Sequence, residues 1–450
     1  MTSRSTRSPV RPTAGAPGSA PRAGRGHIDS ALRGRAGHLA MAGFWLATRT
    51  LMVVLLVVNL HGTSSVRVEI TRTYNNWYDV LVTGTMPHND VMWQYPPAAA
   101  AVFLSPDLLP FFSYFQAFVA LTVVCDALIA IGLVRAARRP DGSMAGAVLW
   151  LTTLPLLLSL PFGRYDLQVT LLAVGSLLCL RFRRKLGGVL AGVGALVKVW
   201  PLLTLIGTPR GRTTRDAVVA AIAAAAALLA VLALFFRDTL GFLDNQGNRG
   251  IQVESLGGSA LMFGKLVGAW SGKTEIRYGA YEYLGPYVSS VAMLSIALTV
   301  AGFGWLLLWR VKARRWSTAT PLDAALCAIL VFTITSRVLS PQYLIWLVGL
   351  AAVCLTCRHT TQRPVAWLIV ASTALSTVIY PLTYGSQILP GTVVGTVLLG
   401  LRNGLLAWAA VLSCVRLWRA SVTRLPGAGP AAPATDAATA AAKPGVPVRV

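Results

Sequence analysis

Long apolar runs, broken by short polar stretches, dominate this chain. Runs at about 41–60, 112–134, 143–161, 166–180, 217–236, 286–309, 321–336, 344–357, 365–382 and 395–416 come near the roughly 20 apolar residues that a helix needs to cross hydrocarbon. They predict membrane-spanning helices. Three segments depart from that pattern. Residues 96–110 open on Pro96-Pro97 and are interrupted by Ser105-Pro106-Asp107, predicting a short helix at or dipping into the membrane. Residues 187–206 start Gly-rich and break at Lys198-Val199-Trp200-Pro201, predicting two half-spans or a re-entrant hairpin, a backbone tolerated at depth only where protein or water surrounds it. Residues 61–97 are polar and rich in aromatics. Ile70, Tyr74, Trp77 and Leu81 recur there at helical spacing, so 68–82 reads as an amphipathic helix lying on the membrane, with a turn at Gly84 and Pro87 beyond it.

Composition turns this pattern into a class. Of 450 residues, 55% are hydrophobic and only 12% charged, with mean hydropathy +0.61, too little polar surface for a soluble domain. The net charge of +24 raises nucleic acid as a partner, but its distribution argues against it. The basic residues form short runs between apolar segments, at 135–139, 181–185, 210–215, 310–315 and 416–424, as in loops retained on the cytoplasmic side. Placing those runs inside puts 61–97, 162–166, 237–285, 337–343 and 383–392 outside and both termini in the cytoplasm. Residues 187–206 lie between two basic runs, which a single crossing cannot satisfy. Counting that segment as two, the fold expected is all-α and polytopic, with about 12 spans and an outer-face loop helix. Residues 39–420 form the membrane domain. The basic tail 1–38 and the Ala/Pro-rich tail 421–450 lack hydrophobic periodicity and read as disordered. The first apolar stretch reads as a retained span rather than a removed signal peptide.

The scarce charges then locate candidate chemistry. Ten of 16 acids fall outside or at the outer edge: Glu69, Asp79, Asp90, Asp107, Asp166, Asp238, Asp244, Glu254, Glu275 and Glu282. Four clusters stand out. The first is the 61–97 loop, where the carboxylates Glu69, Asp79 and Asp90 beside Trp93 and Tyr95 suggest a site for a polar, sugar-like substrate, against the alternative of an interfacial aromatic belt. The second is Arg164 and Asp166, placed where charge is costly and therefore functional or mutually neutralising. The third is Arg249 in a polar loop, a guanidinium available to phosphate or merely solvated. The fourth is Arg337 with Gln342 around the Pro341 break, with snorkelling as the alternative for the arginine. Lys198, inside the broken segment, needs a counter-anion, either a lipid phosphate or a carboxylate. The six cysteines read as membrane-packed residues, and the Cys354/Cys357 pair has no second pair or histidine cluster beside it. Five scattered histidines offer no metal site or Ser-His arrangement, and P-loop, GxGxxG, HExxH and GxSxG motifs are missing. No cofactor is expected.

The order of these features resembles a known family. An early acid follows the first span, Gly84–Pro87 forms a G-x-x-P turn, and Tyr95-Pro96-Pro97 opens a short helix. Lys198-Val199-Trp200-Pro201 follows a Gly-rich segment, and SRVLSPQYLIW occupies 336–346. Across 41–420 this is similar to the family-87 glycosyltransferases, the group containing polyprenyl-phosphate-mannose-dependent mannosyltransferases of actinobacteria, with the C-type multi-span fold. The resemblance implies transfer of a hexose, often mannose, from a polyprenyl phosphate to a glycolipid or glycan at the extracytoplasmic face of the cell membrane. It implies inversion and a base in the first outer loop. Glu69, followed by Tyr74 and Gly84, is the best match to that base, although the family usually has Asp there; Asp90 ranks second and Asp79 third. The competing function is a transporter or flippase for a lipid-linked or polar substrate. Transporters commonly carry paired interrupted helices, and the interrupted Lys198 segment has no convincing partner in the second half of the chain. A catalytically dead scaffold is a third reading.

Overall fold

The computed structural model describes residues 29–58, 64–246 and 249–423. The calls on residues 1–28 and 424–450 lie outside them. Helix begins at Asp29, ahead of the boundary expected at residue 38, because Asp29 is tied down. Its carboxylate accepts from the Met144 backbone N–H at 2.7 Å and pairs with Arg358 at 2.7 Å.

The first long helix, α1 (Arg35–Val58), is followed by α2 (Ser64–Val68), a π-helical stretch (Glu69–Tyr74) and α3 (Asn75–Leu81). The short α4 (Ala99–Leu104) runs into a 3-10 turn at Ser105–Leu108, and Ser113 then starts α5 (Tyr114–Ala137) with a reciprocal capping box to Gln116. Next come α6 (Ala145–Thr153), two 3-10 turns ending at Gly163, α7 (Asp166–Leu180) and α8 (Arg184–Val197). Pro201, which cannot continue a helix, sits at the start of a 3-10 segment (Trp200–Gly207) before α9 (Arg212–Phe235). The polar stretch beyond it holds β1 (Ile251–Gln252), α10 (Leu256–Leu266), β2 (Lys273–Arg277) and β3 (Ala280–Leu284). The chain closes with α11 (Val288–Lys312), α12 (Thr320–Thr335), α13 (Tyr343–Leu355), α14 (Arg363–Thr377) and α15 (Val393–Ser421).

The molecule is mostly helical. Among the described residues, six helices are long and apolar enough to cross a membrane: α1, α5, α9, α11, α14 with its continuation to Leu382, and α15. Shorter apolar helices, among them α7, α12 and α13, pack between them. Leu344–Leu355 of α13 is buried on every side, as expected of a helix that is hydrophobic all round at the centre of a bundle. By contrast α9 and α11 expose most of their apolar length.

Two expectations need correction. The fold is not purely helical: β1, β3 and β2 form an antiparallel sheet in that order, pairing Gln252 with Glu282 across β1 and β3. Strands of two to five residues leave no alternation long enough to read from sequence. The 68–82 region is helical, but Ile70, Tyr74, Trp77 and Leu81 do not face lipid. All four are buried in the protein core, Tyr74 and Trp77 against Phe103 of α4.

Chain direction separates two ends of the bundle. At one, Arg33, Arg181, Arg210, Arg315 and Arg358 meet Gly142, Asp141, Val311, Arg419 and Asp29. From there α9 runs to the other end, where Arg237 bridges Thr85 beside the Gly84 turn (φ 75°). The 184–207 segment leaves the basic end, turns at Lys198-Val199 beside Asp166 at the start of α7, and returns to Gly207, which packs on Pro321 at the start of α12. Its two arms are about 21 Å of α-helix and about 16 Å of 3-10 helix, each shorter than the roughly 30 Å of a bilayer core.

Candidate functional site

At the end opposite the basic runs, charges from distant parts of the sequence converge. Glu69 opens the π-helical stretch, a form that appears mostly as single turns and often at functional sites. Opposite it, the 3-10 turn ending at Gly163 packs on α2 so closely that a Cβ on Gly163 would lie 2.0 Å from Val66 Cγ1. Glycine there brings the next residue, Arg164, to 2.6 Å from Glu69 Oε1. The two side chains are 18% and 17% exposed, enough to be reached by a substrate.

Two residues on, Asp166 is buried and accepts at one oxygen, Oδ1, from Lys198 Nζ at 2.6 Å and Trp346 Nε1 at 2.7 Å. The carboxylate is the counter-anion that Lys198 required. The ammonium lies among aromatic faces, 4.6 Å from the ring centroid of Tyr165, 4.8 Å from Trp346, 5.5 Å from Tyr343 and 5.9 Å from Tyr95. It also feels the charges of Arg164 and Arg249. Tyr95 in turn feels Glu69, Asp166, Arg164 and Arg249, and burial pushes its phenol above the usual range, so it remains a hydroxyl.

The small sheet completes the group. Arg337 donates from Nη1 to the Arg249 carbonyl at 2.9 Å, and the Arg337 carbonyl accepts from the Gln252 backbone N–H at 3.1 Å. Arg249 donates from Nη2 to the Tyr278 carbonyl at 3.1 Å. Burial lifts the Glu282 carboxyl above its ordinary range, against the Gly250 N–H that it accepts at 3.1 Å and the charges of Arg249, Arg277 and Arg337. Gln252 donates to Ser340 Oγ at 3.1 Å, and Gln342 lies half-buried at the start of α13, beside Tyr343.

Hydrogen bonding here is incomplete. Arg164 Nε, Arg249 Nε, Asp166 Oδ2, Tyr165 Oη, Gln252 Oε1 and Glu282 Oε1 are buried without a partner among the described residues. Buried polar groups need partners, so these atoms are positions that water or a polar ligand can satisfy.

Of the residues singled out from sequence, Glu69, Tyr95, Arg164, Asp166, Lys198, Arg249 and Arg337 come together, with Gln342 at the edge. Three do not join them. Asp79 is exposed, accepts from Asn75 Nδ2 at 3.4 Å and groups with Tyr78, Asp107 and Tyr114. Asp90 holds its own loop, accepting from Trp77 Nε1 at 2.7 Å and the Met92 N–H at 2.8 Å. Trp93 is 1% exposed and packs edge-on to Trp77 and Tyr95 in the aromatic core. Conversely, Tyr165, Gln252, Glu282, Tyr343 and Trp346 were not singled out as site residues. Glu282 carries a signal as one of few acids, and Tyr343 and Trp346 lie within the SRVLSPQYLIW run. Among the described residues, no group of three His, Cys, Asp or Glu could hold a metal ion.

A protein-family model described as glycosyltransferase family 87 matches residues 93–341. That range holds Arg164, Asp166, Lys198, Arg249, Glu282 and Arg337, while Glu69 precedes it. No curated protein and no solved structure matches the chain.

Proposed function

This chain belongs to glycosyltransferase family 87, and from that premise we propose that it moves a hexosyl group, specifically mannosyl, from a polyprenyl phosphate to a glycolipid or glycan, with inversion. The observation that carries the reading is the pairing of a reachable carboxylate, Glu69, with Arg164 beside a group of cations, Lys198, Arg249 and Arg337.

In this reading Arg164 fixes the Glu69 carboxylate through Oε1, and Oε2 takes the proton of the acceptor hydroxyl. The acceptor oxygen attacks the anomeric carbon from the face opposite the phosphate. The bond from that carbon to the phosphate oxygen breaks, and its electron pair leaves with the lipid phosphate. Lys198, Arg249 and Arg337 stabilise the growing negative charge, a role in which preorganised donors contribute most. Asp166 and Trp346 aim Lys198, and the tyrosine faces around it form the wall on which a sugar ring stacks. One carboxylate suffices because a phosphate needs no proton to depart.

The basic runs, gathered at the opposite end, support an extracytoplasmic site with the basic end and both termini in the cytoplasm of a multi-pass cell-membrane protein. The test is transfer of labelled mannose from a polyprenyl phosphate by purified protein. Wild type is expected to turn over and Glu69→Gln to fail while remaining folded. Full activity in Glu69→Gln overturns the base assignment. Lipid movement without transfer from any polyprenyl-phosphate sugar favours a flippase.

A further inference from the structure

At the basic end, where α9 begins and α11 finishes, we infer a binding site for the phosphate headgroup of an anionic phospholipid. Arg210, Thr214, Arg215 and Arg310, with Val218 and Val219, line an open surface cavity of about 360 Å³. Arg210 donates from Nη2 to the Val311 carbonyl at 2.7 Å, while Arg310 donates from Nη2 to Thr214 Oγ1 at 2.8 Å and lies 5.1 Å from the centroid of the Trp316 ring. These bonds hold the Arg210 and Arg310 side chains, two like charges, on the wall of the same cavity. Neither forms an ion pair with a carboxylate among the described residues. The nearby acid, Asp216, is engaged at 3.7 Å by Arg184 and at 3.9 Å by Arg215. Like charges held together without a counter-ion are unfavourable, and a phosphate that accepts from both relieves the repulsion.

The backbone adds to the attraction. Gly211, with φ 90°, occupies the N-cap position of α9 and offers no side chain to the first-turn N–H groups, so the positive end of a 24-residue helix dipole opens toward the cavity.

Geometry points to a lipid rather than a free phosphate. From the cavity, α9 presents exposed Val219 and Ile222, and α11 presents exposed Leu307, Leu308 and Val311, apolar surfaces along which acyl chains lie. Trp305, Trp316 and Trp418 gather at the same end, as tryptophans do at the headgroup level.

Native mass spectrometry of the full-length protein tests this site, with phosphatidylglycerol, phosphatidylcholine and inorganic phosphate as separate probes. Phosphatidylglycerol is expected to be retained in preference to phosphatidylcholine. Arg210→Gln and Arg215→Gln should each cut that preference about fivefold, the weight of one basic residue near an anionic surface. Arg314→Gln, exposed at the same end but outside the cavity, should leave it intact. Arg215 makes no hydrogen bond to α11 among the described residues, so a loss in Arg215→Gln with an unchanged melting temperature keeps the result interpretable if Arg210→Gln misfolds. Equal retention of the two lipids overturns the inference, as does a preference that survives both cavity variants. Displacement of phosphatidylglycerol by millimolar inorganic phosphate assigns the cavity to the free ion instead.

Discussion

Two buried ionic groups in this molecule look alike in sequence and differ in structure. In the first, Asp126 of α5 accepts from Arg49 Nε at 2.9 Å and Nη2 at 3.2 Å, from Trp45 Nε1 at 2.5 Å and from Trp150 Nε1 at 2.7 Å. The remaining arginine nitrogen, Nη1, donates to the Leu151 carbonyl at 2.9 Å. Every polar atom of that pair has a partner, and the network fastens α1 to α5 and α6. In the second, Glu69, Arg164, Asp166, Lys198, Arg249 and Glu282 leave several buried atoms without a partner among the described residues. A buried charge is tolerated only when paired and bonded. The first group therefore closes on itself as a structural clamp, whereas the second keeps polar atoms without a protein partner among the described residues, as the proposed substrate site requires. Completeness of bonding, rather than burial, separates a tie from a site.

The largest effect expected from that contrast is on turnover. Glu69→Gln keeps the shape of the side chain and removes the base, so transfer should fall by roughly 100- to 10,000-fold, with the melting temperature nearly unchanged. A proportionate loss of both would place Glu69 with the clamp. Asp126→Asn should do the reverse. It leaves the Arg49 guanidinium buried without its counter-charge, a change that costs about 3–5 kcal/mol. Denaturation should show that loss, with transfer per folded molecule preserved.

A third group lies between these extremes. Arg402 and Asn403 of α15 donate to the Glu254 carbonyl at 3.0 and 3.1 Å, and Arg402 Nη2 reaches Glu254 Oε2 at 3.3 Å, yet Arg402 Nε and Nη1 stay unpartnered. Burial lifts the Glu254 carboxyl to about 7, against the pull of Arg402. The folded state therefore binds a proton that the unfolded chain releases from about pH 4.5 upward. The stability this contributes is complete below that pH and declines as pH rises through about 7. Melting curves from pH 5 to 8 should show the decline in wild type and lose that component in Glu254→Gln. An unaltered slope would remove Glu254 as its source.

Much of the site was legible because charges are rare in this chain, and a rare charge beside an apolar span has to be paired or used. That reasoning singles out Arg164, Asp166, Lys198, Arg249 and Arg337, which the fold brings together, as candidates without any contact information. The turn at Lys198 was legible for a different reason: basic runs on both sides and a proline inside leave no room for one straight span. What stayed hidden depends on pairing at a distance. Glu282 meets Gln252 only through a sheet with strands of two to five residues, and Tyr165, Tyr343 and Trp346 become a cage only when α7 and α13 close around Lys198. Periodicity also fixed a face on the 68–82 helix without identifying what the face meets. The aromatic stripe read as lipid-facing is covered by Phe103 and Phe118.

The smallest effects distinguish the acids of one loop. Asp90→Asn keeps a carbonyl that can accept one of the two bonds now made from Trp77 and Met92, so the loss should be near 1 kcal/mol of stability. Transfer should fall only as far as the loop loosens. Asp79→Asn removes an exposed charge whose side-chain partner, Asn75, is one helical turn away at 3.4 Å. Stability should stay within about 0.5 kcal/mol, as at most surface sites, and transfer should match wild type. The three acids share a loop and a sign, so a rank order Glu69, Asp90, Asp79 in lost transfer would follow contact with Arg164 rather than proximity to the membrane. A deficit in Asp79→Asn as large as that in Glu69→Gln would break the contrast, because it would place a needed proton acceptor on a residue outside the open network.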